Sequence, residues 1–456
     1  MQDCSVRIRH FLKKTFFRCE KASVSFEAIS EPDKRKYKKP LNTMQTKVSI
    51  IGGAKMEIRR FEPEGFFQII FQTTNKLSIK AITKENLPHF FGFIFSSLWL
   101  YTYFLPMGSH EFQIKLLENI VNDTSIYFYA MLISCSLVPL FLDGRLYVPA
   151  SFYSVIVSLI CYSLALFLEP GFLSKVALFI AVPCMGHIYI SHIYSFFMIL
   201  NNSEKLSSMI VVIFLSKVLK YARPLFNFAY FKFHPSIIFI YIILFALALS
   251  TYYIRSDVER IPSLQKIKAP KKAYSLMPVA FITLALNDVI APVVLQQISN
   301  LNRSQLQGYY FYGILAGLVM VLLMQVRFSM NICFMLNFSF AFLEIGFVTS
   351  IINMQYPSAG FVSAACFGVA YSTGIVNTCY LAGFMIKKFQ SIYFYLTCLL
   401  LSASCYLITS AFVQLLSIIE IQAMSSIITT FISICIIILF FYFRLFLLKC
   451  CTPANG

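Results

Sequence analysis

Long apolar segments dominate this chain of 456 residues. A helix that crosses about 30 Å of hydrocarbon needs roughly 20 mostly apolar residues. The chain is 58% apolar and 13% charged, with a mean hydropathy of +0.72, whereas soluble domains are about a quarter charged. The sequence therefore predicts an all-α polytopic membrane protein. Twelve segments of suitable length and apolarity lie at 88–108, 124–143, 150–170, 172–200, 206–222, 235–254, 275–298, 308–327, 331–353, 360–386, 391–416 and 422–446.

The positive charge is concentrated in two polar segments. The formal net charge is +18, and residues 1–86 alone hold 18 basic and 9 acidic residues. The segment 255–274 adds six Lys or Arg residues. Cytoplasmic loops of membrane proteins are enriched in Lys and Arg, so this distribution predicts orientation in a membrane rather than a nucleic-acid partner. We expect a cytoplasmic tail at 1–86, a cytoplasmic linker at 255–274, and two cytoplasmic termini if all twelve segments span.

The basic linker divides the predicted spans into two groups of six, at 87–254 and 275–448, followed by a short tail at 449–456. This layout is typical of carriers whose substrate binds between two helical halves near the membrane midplane. The predicted fold class is therefore major-facilitator-like, with 11–12 transmembrane helices. The sequence has no ATP-binding P-loop and no hydrolase or metalloprotease motif. A passive or ion-coupled carrier without a cofactor is favoured over an enzyme or a pump.

Polar residues inside apolar segments are the candidate functional residues, because ionisable groups at membrane depth are costly and usually face a cavity or a partner. In "AFITLALNDVIAPVVLQQI", Asp288 follows Asn287 and precedes Pro292. Pro292 lacks an N–H, which frees a carbonyl near Asp288 and favours a kink. We predict that Asp288 faces a cavity. Glu344 is a second mid-span acid, and its alternative role is a hydrogen bond to a neighbouring helix.

His187, His192 and Arg327 are the basic side chains within predicted spans that are considered as candidates. His187 and His192 are five residues apart and thus on different helix faces, so the pair is not expected to bind a metal. Arg327 ends the apolar run "GYYFYGILAGLVMVLLMQVRF". It is either a positive flank at the cytoplasmic end of a span or a working cation held among helices.

Several motifs of this chain resemble the equilibrative nucleoside transporter family. The first span ends in Leu-Pro, including Pro106, with Met107 at the place of the family's Trp. The tenth span keeps Ser372, Gly374 and a terminal Lys-Lys pair from the family's corresponding segment. Pro292 falls at the family's Phe-Pro. The Lys/Asn-rich tail and abundant Phe and Ile are similar to those of protozoan, apicomplexan-like members.

The end of the eighth span resembles the family's Asp-x-x-Gly-Arg motif. Arg327 matches the Arg, while Leu323 and Val326 replace the Asp and the Gly. His187 aligns with a substrate-contacting Gln of the family. The resemblance implies facilitated diffusion of nucleosides or nucleobases by alternating access. It also implies substrate-binding or gating roles for the matched polar positions, with Asp288 or Glu344 as the available partner of Arg327.

Two other functions remain open from the sequence. A major-facilitator-type carrier of another metabolite, such as a sugar or an amino acid, is favoured by the twelfth span and by Leu323. Proton coupling through Asp288 or Glu344 would fit either carrier. The third alternative is a receptor or scaffold without transport. Sequons at Asn122 and Asn302 fall in predicted outer loops, where an N-glycan can be attached. We expect the plasma membrane, with an organelle membrane as the alternative.

Overall fold

The structure is a computed structural model. It describes residues 82–100, 124–167, 171–222, 235–298, 303–328, 332–353, 355–416 and 426–438. Pro106, Met107, Asn122 and Asn302 lie outside these residues, as do most of the predicted N-terminal tail and the whole predicted C-terminal tail.

The described ranges contain twelve helices or helix series, one at each predicted apolar segment. They are α1 Leu87–Trp99, α2 Thr124–Leu137, α3 Gly144–Phe167, α4 Phe172–Met198, α5 Asn202–Ala222, α6 Pro235–Ser256, α7 (in three consecutive segments, Met277–Leu284, Ala285–Ile290 and Ala291–Ile298), α8 Arg303–Leu323 with a terminal turn Met324–Phe328, α9 Ile332–Ile352, α10 Ala359–Phe389, α11 Ile392–Leu416 and α12 Ser426–Ile438.

The predicted class of helical, polytopic membrane protein is confirmed. By length and composition, α3, α4, α7, α8, α9 and α10 each contain a helix long and apolar enough to cross a membrane. Shorter apolar helices of 10–17 residues occur in α2, α6, α11 and α12. Within the described ranges the only β-pairing is one isolated bridge, between Gln265 and Ser391.

The helices before and after the linker pack mainly among themselves. In the first set, α1 contacts α4, α5 and α6, and α3 contacts α4 and α6. In the second set, α10 lies between α8 and α9 and also touches α7 and α11. The two sets meet where α2 contacts α11, where α4 and α5 contact α10, and where α5 contacts α8. The domain boundaries drawn from the sequence stay predictions.

Small residues allow α8 and α10 to approach closely. Gly313 and Gly317 are four residues apart and lie on one face of α8. A Cβ at Gly313 would overlap the backbone of Ala365, and one at Gly317 would overlap the Ser372 hydroxyl. A Cβ at Gly368 would overlap the backbone of α8 in return. Helices in lipid associate largely through such close packing, since lipid tails are as apolar as the side chains.

A reciprocal cap separates α4 from α5. The backbone N–H of Glu204 donates to the Asn201 side-chain oxygen, and the backbone N–H of Asn201 donates to the Glu204 carboxylate, both at 2.8 Å. This is the capping-box arrangement that starts a helix. The fifth helix therefore begins at Asn202, four residues before the predicted span.

The linker between α6 and α7 is attached to both helix sets. The Tyr194 hydroxyl of α4 donates to the Pro262 carbonyl at 2.7 Å. On the other side, the N–H of Gln265 donates to the Gln390 carbonyl at 2.8 Å, and Ile392 donates back to Gln265 at 3.0 Å. We call the end of the helix bundle that carries residues 257–276 the linker end.

Candidate functional site

A cavity of about 190 Å³ lies between the two helix sets. Side chains from α1, α2, α4 and α5 line one side of it, and side chains from α7, α9, α10 and α11 line the other. Each wall thus belongs to a different helix set, so relative movement of the sets would change access to the cavity.

The walls are mostly apolar and partly aromatic. Phe93 of α1 and Phe196 of α4 stack with ring centroids 4.3 Å apart and planes 22° from parallel. Phe197, Tyr189 and Phe394 also contribute to the lining. Apolar walls with a few placed polar groups are characteristic of small-molecule sites.

Asp288 is the only acid among the described residues that line the cavity, and none of those residues is basic. Tyr189 and Cys379 line the same cavity from α4 and α10. A carboxyl group in a mostly apolar cavity can accept hydrogen bonds from a ligand, or it can carry a proton. The lining therefore suits a ligand with hydrogen-bond donors better than an anion.

The backbone around Asp288 departs from a regular α-helix. Residues Ala285–Ile290 form a π-helical turn, and the N–H of Ala291 donates to the Leu286 carbonyl five residues back. Pro292 comes next and has no N–H to donate. Single π-turns inside α-helices occur frequently at functional sites. Here the turn holds the one acid of the described cavity wall.

Asn287 is buried against α10 instead of the cavity. It is 1% exposed, and its side-chain amide donates to the Thr283 carbonyl at 2.9 Å. Gly374 faces it from α10, where a Cβ would lie 2.9 Å from the Asn287 amide nitrogen and 2.6 Å from the Ser339 hydroxyl. This pair thus lies where α7, α9 and α10 approach one another closely.

The structure places three other predicted site residues away from the cavity lining. His187 lies between α3 and α4, with one ring nitrogen 2.7 Å from the Ser154 hydroxyl and the other 3.0 Å from the Tyr147 carbonyl. Ser372 hydrogen-bonds to carbonyls of its own helix. Glu344 accepts a hydrogen bond from Ser433 of α12, which is the helix-pairing alternative considered from the sequence. Each of these three polar groups thus hydrogen-bonds within the protein, and its predicted role in substrate binding stays a prediction.

Arg327 lies in the terminal turn of α8, Met324–Phe328, which is also π-helical. Its side chain lies outside the described part of the structure, so its pairing with Asp288 or Glu344 stays a prediction. The positions of the family's Asp and Gly are held by Leu323 and Val326, which are 55% and 48% exposed. Neither of them lines the described cavity.

Two hydroxyl groups of the lining were missed by the sequence reasoning. Ser97 of α1 and Thr378 of α10 line the cavity from opposite helix sets. Neither hydroxyl has a hydrogen-bond partner among the described residues. Serine and threonine are frequent in membrane helices because their hydroxyls bond to the helix backbone. Residue type alone therefore could not single them out.

Two lysines connect the helix sets at the linker end. Lys205 of α5 donates to the Gly383 carbonyl of α10 at 2.9 Å. Lys387 of α10 donates to the carbonyls of Ile199 and Leu200 at 3.0 and 2.9 Å. The carbonyls of Ile199 and Leu200 lie at the C-terminal end of α4, where backbone acceptors have no partner within the helix. We call these contacts the lysine clamp.

The clamp lies directly against the cavity. Lys205 is fully buried. A Cβ on Gly383 would lie 3.1 to 3.3 Å from Phe197, Phe196 and Lys205, so the glycine leaves room for the lysine chain. Because Phe196 and Phe197 also line the cavity, the clamp lies beside the part of the wall that these two rings form.

Comparison with solved structures shows the fold to which this arrangement belongs. A crystal structure of FucP, a Major Facilitator Superfamily transporter in the outward conformation, is similar with a TM-score of 0.51 and 11% sequence identity. The match covers 79% of this chain and 98% of the FucP chain. No family sequence profile matches this chain, and neither does any curated protein sequence. The major-facilitator-like fold is confirmed, and the resemblance to equilibrative nucleoside transporters rests on the motifs alone.

Proposed function

We propose that this chain, which has a major-facilitator-like fold, is a membrane carrier that moves nucleosides or nucleobases by facilitated diffusion and alternating access. The observation that carries the proposal is the cavity that both helix sets line, with lysine contacts across the two sets beside it. In such a carrier, the substrate enters while one end is open and leaves after the sets have moved to open the other. No catalytic step is assigned to any residue.

The chemistry of the lining supports this substrate class. Aromatic side chains can stack on a planar base. Hydroxyls and one carboxyl group can bond to the polar edge of that base. The described lining offers no basic residue to balance a phosphate or a carboxylate, which favours an uncharged substrate. The partially matched motifs in the first, eighth and tenth spans support the same class.

The second candidate is a major-facilitator-type carrier of another small metabolite, coupled to protons through Asp288. The observation that favours it is the position of Asp288 as the one acid in the described lining. Glu344, the other predicted proton carrier, is bonded to α12 instead. Protonation of an intramembrane acid is a common means of ion coupling.

For orientation, we propose that the linker end faces the cytoplasm, since the linker is basic. The twelve helices then place both termini on the same side. A plasma-membrane carrier oriented in this way would take up substrate from outside the cell. An organelle membrane is the alternative.

Uptake measurements test the proposal. The full chain is expressed in oocytes, and uptake of radiolabelled purines, pyrimidines, their nucleosides, hexoses and amino acids is measured at two external pH values. We expect saturable uptake of a nucleobase or nucleoside above that of uninjected cells. Uptake restricted to hexoses or amino acids would favour the second candidate. Absence of uptake for every class, with the protein present at the cell surface, would contradict a carrier function for these substrates.

A further inference from the structure

We infer that Ser97 and Thr378 are the two hydroxyls that bond to the substrate, one from each helix set, and that the substrate is a small uncharged heterocycle of the nucleobase class. This inference rests on the proposed function, because it names the ligand contacts of the same cavity. The inference assigns two substrate-contacting residues that the proposed function leaves open. It also restricts the substrate to nucleobases, which are smaller than nucleosides.

The burial of both hydroxyls is the first argument. Ser97 is 1% exposed and Thr378 is 7% exposed. Buried polar groups in proteins nearly always have a hydrogen-bond partner, and leaving one without a partner is costly. Among the buried polar side-chain atoms that lack a partner in the described structure, these two belong to residues that line the cavity. A ligand or a water molecule held between the walls would supply the missing hydrogen-bond partner of each hydroxyl.

The behaviour of neighbouring hydroxyls is the second argument. Ser136 lines the same cavity, but its hydroxyl donates to the Leu132 carbonyl of its own helix at 2.7 Å. Thr373, five residues before Thr378 on α10, bonds in the same way to Val369 at 2.8 Å. Such bonds to the preceding turn are the usual arrangement for serine and threonine in a helix. Ser97 and Thr378 depart from it, so neither hydroxyl is engaged with the backbone of its own helix.

The location of the two residues is the third argument. Ser97 lies four residues after Phe93 on α1, so both side chains are on one helix face. Phe93 stacks on Phe196, which gives that wall a flat aromatic surface. Thr378 lies on the opposite wall beside Cys379 and Ala382, which also line the cavity. A ligand between the walls would thus meet aromatic rings and one hydroxyl on one side and the second hydroxyl on the other.

Size and charge narrow the ligand class. The cavity volume of about 190 Å³ lies below the roughly 300 Å³ at which ordinary small-molecule pockets begin. A base without its ribose fits such a volume better than a nucleoside. A hydroxyl can both donate and accept a hydrogen bond, whereas an ionised carboxyl group only accepts. A heterocycle with N–H donors and ring-nitrogen or carbonyl acceptors can form hydrogen bonds with both hydroxyls and with the carboxyl group.

Hydroxyl removal tests the inference, with a matched control outside the cavity. The variants are Ser97→Ala, Thr378→Val and Thr378→Ser, and the control is Thr349→Val, whose hydroxyl bonds to its own helix at Ile345. The probes are radiolabelled adenine and adenosine for uptake, and the same compounds for ligand-induced shifts in the melting temperature of the purified full-length protein. Melting temperature without ligand shows whether each variant is folded.

We expect Ser97→Ala and Thr378→Val each to raise the KM for adenine about fivefold, the size of effect that the loss of one neutral hydrogen bond produces. Thr378→Ser keeps a hydroxyl and should raise the KM less than Thr378→Val does, and Thr349→Val should stay near the wild-type value. Adenosine should bind more weakly than adenine in every protein that binds both. The inference is overturned if Ser97→Ala and Thr378→Val behave like Thr349→Val, or if neither probe shifts the melting temperature of the wild type.

The two readouts separate this inference from the proposed function. If adenine stabilises the purified wild type, and the two variants lose that stabilisation, but no flux occurs, the hydroxyl pair stands and the carrier function fails. If the wild type transports adenine and all four variants transport it equally well, the carrier function stands and the hydroxyl pair fails.

Discussion

At the residue scale, Asp288 is the sequence-predicted candidate that lines the described cavity. An acid in an apolar segment is rare enough to be noticed in a single sequence. Glu344 and His187 were chosen for the same kind of reason and Ser372 for its match to a family motif, yet each contacts a neighbouring helix or its own backbone. The sequence shows the depth of a polar residue in a span, but the face it presents depends on which helices pack around it. That information is not present in one span alone.

Replacing Asp288 by Asn tests its role in transport. The variant keeps a hydrogen-bonding group of similar size but removes the titratable carboxyl. Where substrate uptake by the wild type rises with external acidity, we expect Asp288→Asn to abolish that rise. We also expect uptake to fall about tenfold, because a hydrogen bond to a charged group is stronger than a neutral one. The measurement is radiolabelled uptake at two external pH values, normalised to surface expression.

Glu344→Gln is the control for this experiment. Its carboxyl accepts a hydrogen bond from Ser433 on α12, and the amide oxygen of Gln can accept the same bond. Uptake by Glu344→Gln should keep the wild-type pH profile. Equal losses in both variants would show that Asp288 has no special function in the cavity.

At the element scale, the positions of the helices follow closely from apolar length, and their pairing does not. All twelve predicted segments contain a helix in the described ranges. The boundary between α4 and α5 was drawn too late in the chain, although "NNSE", residues 201–204, carries the spacing of a capping box. The contact of α8 with α10 through Gly313, Gly317 and Gly368 was not predicted. A small-residue pattern marks a packing face but does not name the helix that covers it.

Overpacking the α8–α10 contact should destabilise the protein. In Gly317→Leu the new side chain would meet Ser372 and Val369, whose positions are fixed by α10. We expect a loss of about 1–3 kcal/mol, the usual cost of overpacking a close contact. The measurement is the melting temperature of the purified protein in detergent. Gly308→Leu on the same helix is the control, since a Cβ there meets nothing within 4 Å. Similar melting temperatures for the two variants would contradict the close contact.

At the scale of the whole molecule, the lysine clamp joins the two helix sets across the end of the cavity. It was not predicted from the sequence, because lysines near the ends of apolar segments are common flanking charges in membrane proteins. Their partners are backbone carbonyls, which every residue carries. The pairing of Lys205 with Gly383 joins residues 178 positions apart. Only the packed molecule brings them together.

Removing the clamp should make the cavity reachable from the linker end. We expect Lys205→Met together with Lys387→Met to raise the rate at which a small, membrane-impermeant methanethiosulfonate reagent modifies Cys379, which lines the cavity. Three hydrogen bonds to charged groups are lost, so the closed arrangement of the two sets becomes less stable. The rate is measured by mass spectrometry after the reagent is applied separately to each face of sealed vesicles.

Lys388→Met supplies the control, because Lys388 is the exposed neighbour of Lys387 on the same helix. The increase should occur from one face of the membrane and in the double variant only. Equal rates in the double variant and in Lys388→Met would show that these lysines do not hold the cavity closed. This readout requires no transported substrate.

The π-helical turn at Asp288 determines which residues of the seventh helix share a face. A π-turn is equivalent to one residue inserted into an α-helix, and one residue corresponds to a rotation of about 100°. Residues Ala291–Ile298 are therefore rotated relative to the continuation of Met277–Leu284. Side chains that share one face of Met277–Leu284 therefore do not continue along the same face in Ala291–Ile298. Deleting one residue at 285–290 would restore a regular helix and would turn one end of it away from its present neighbours.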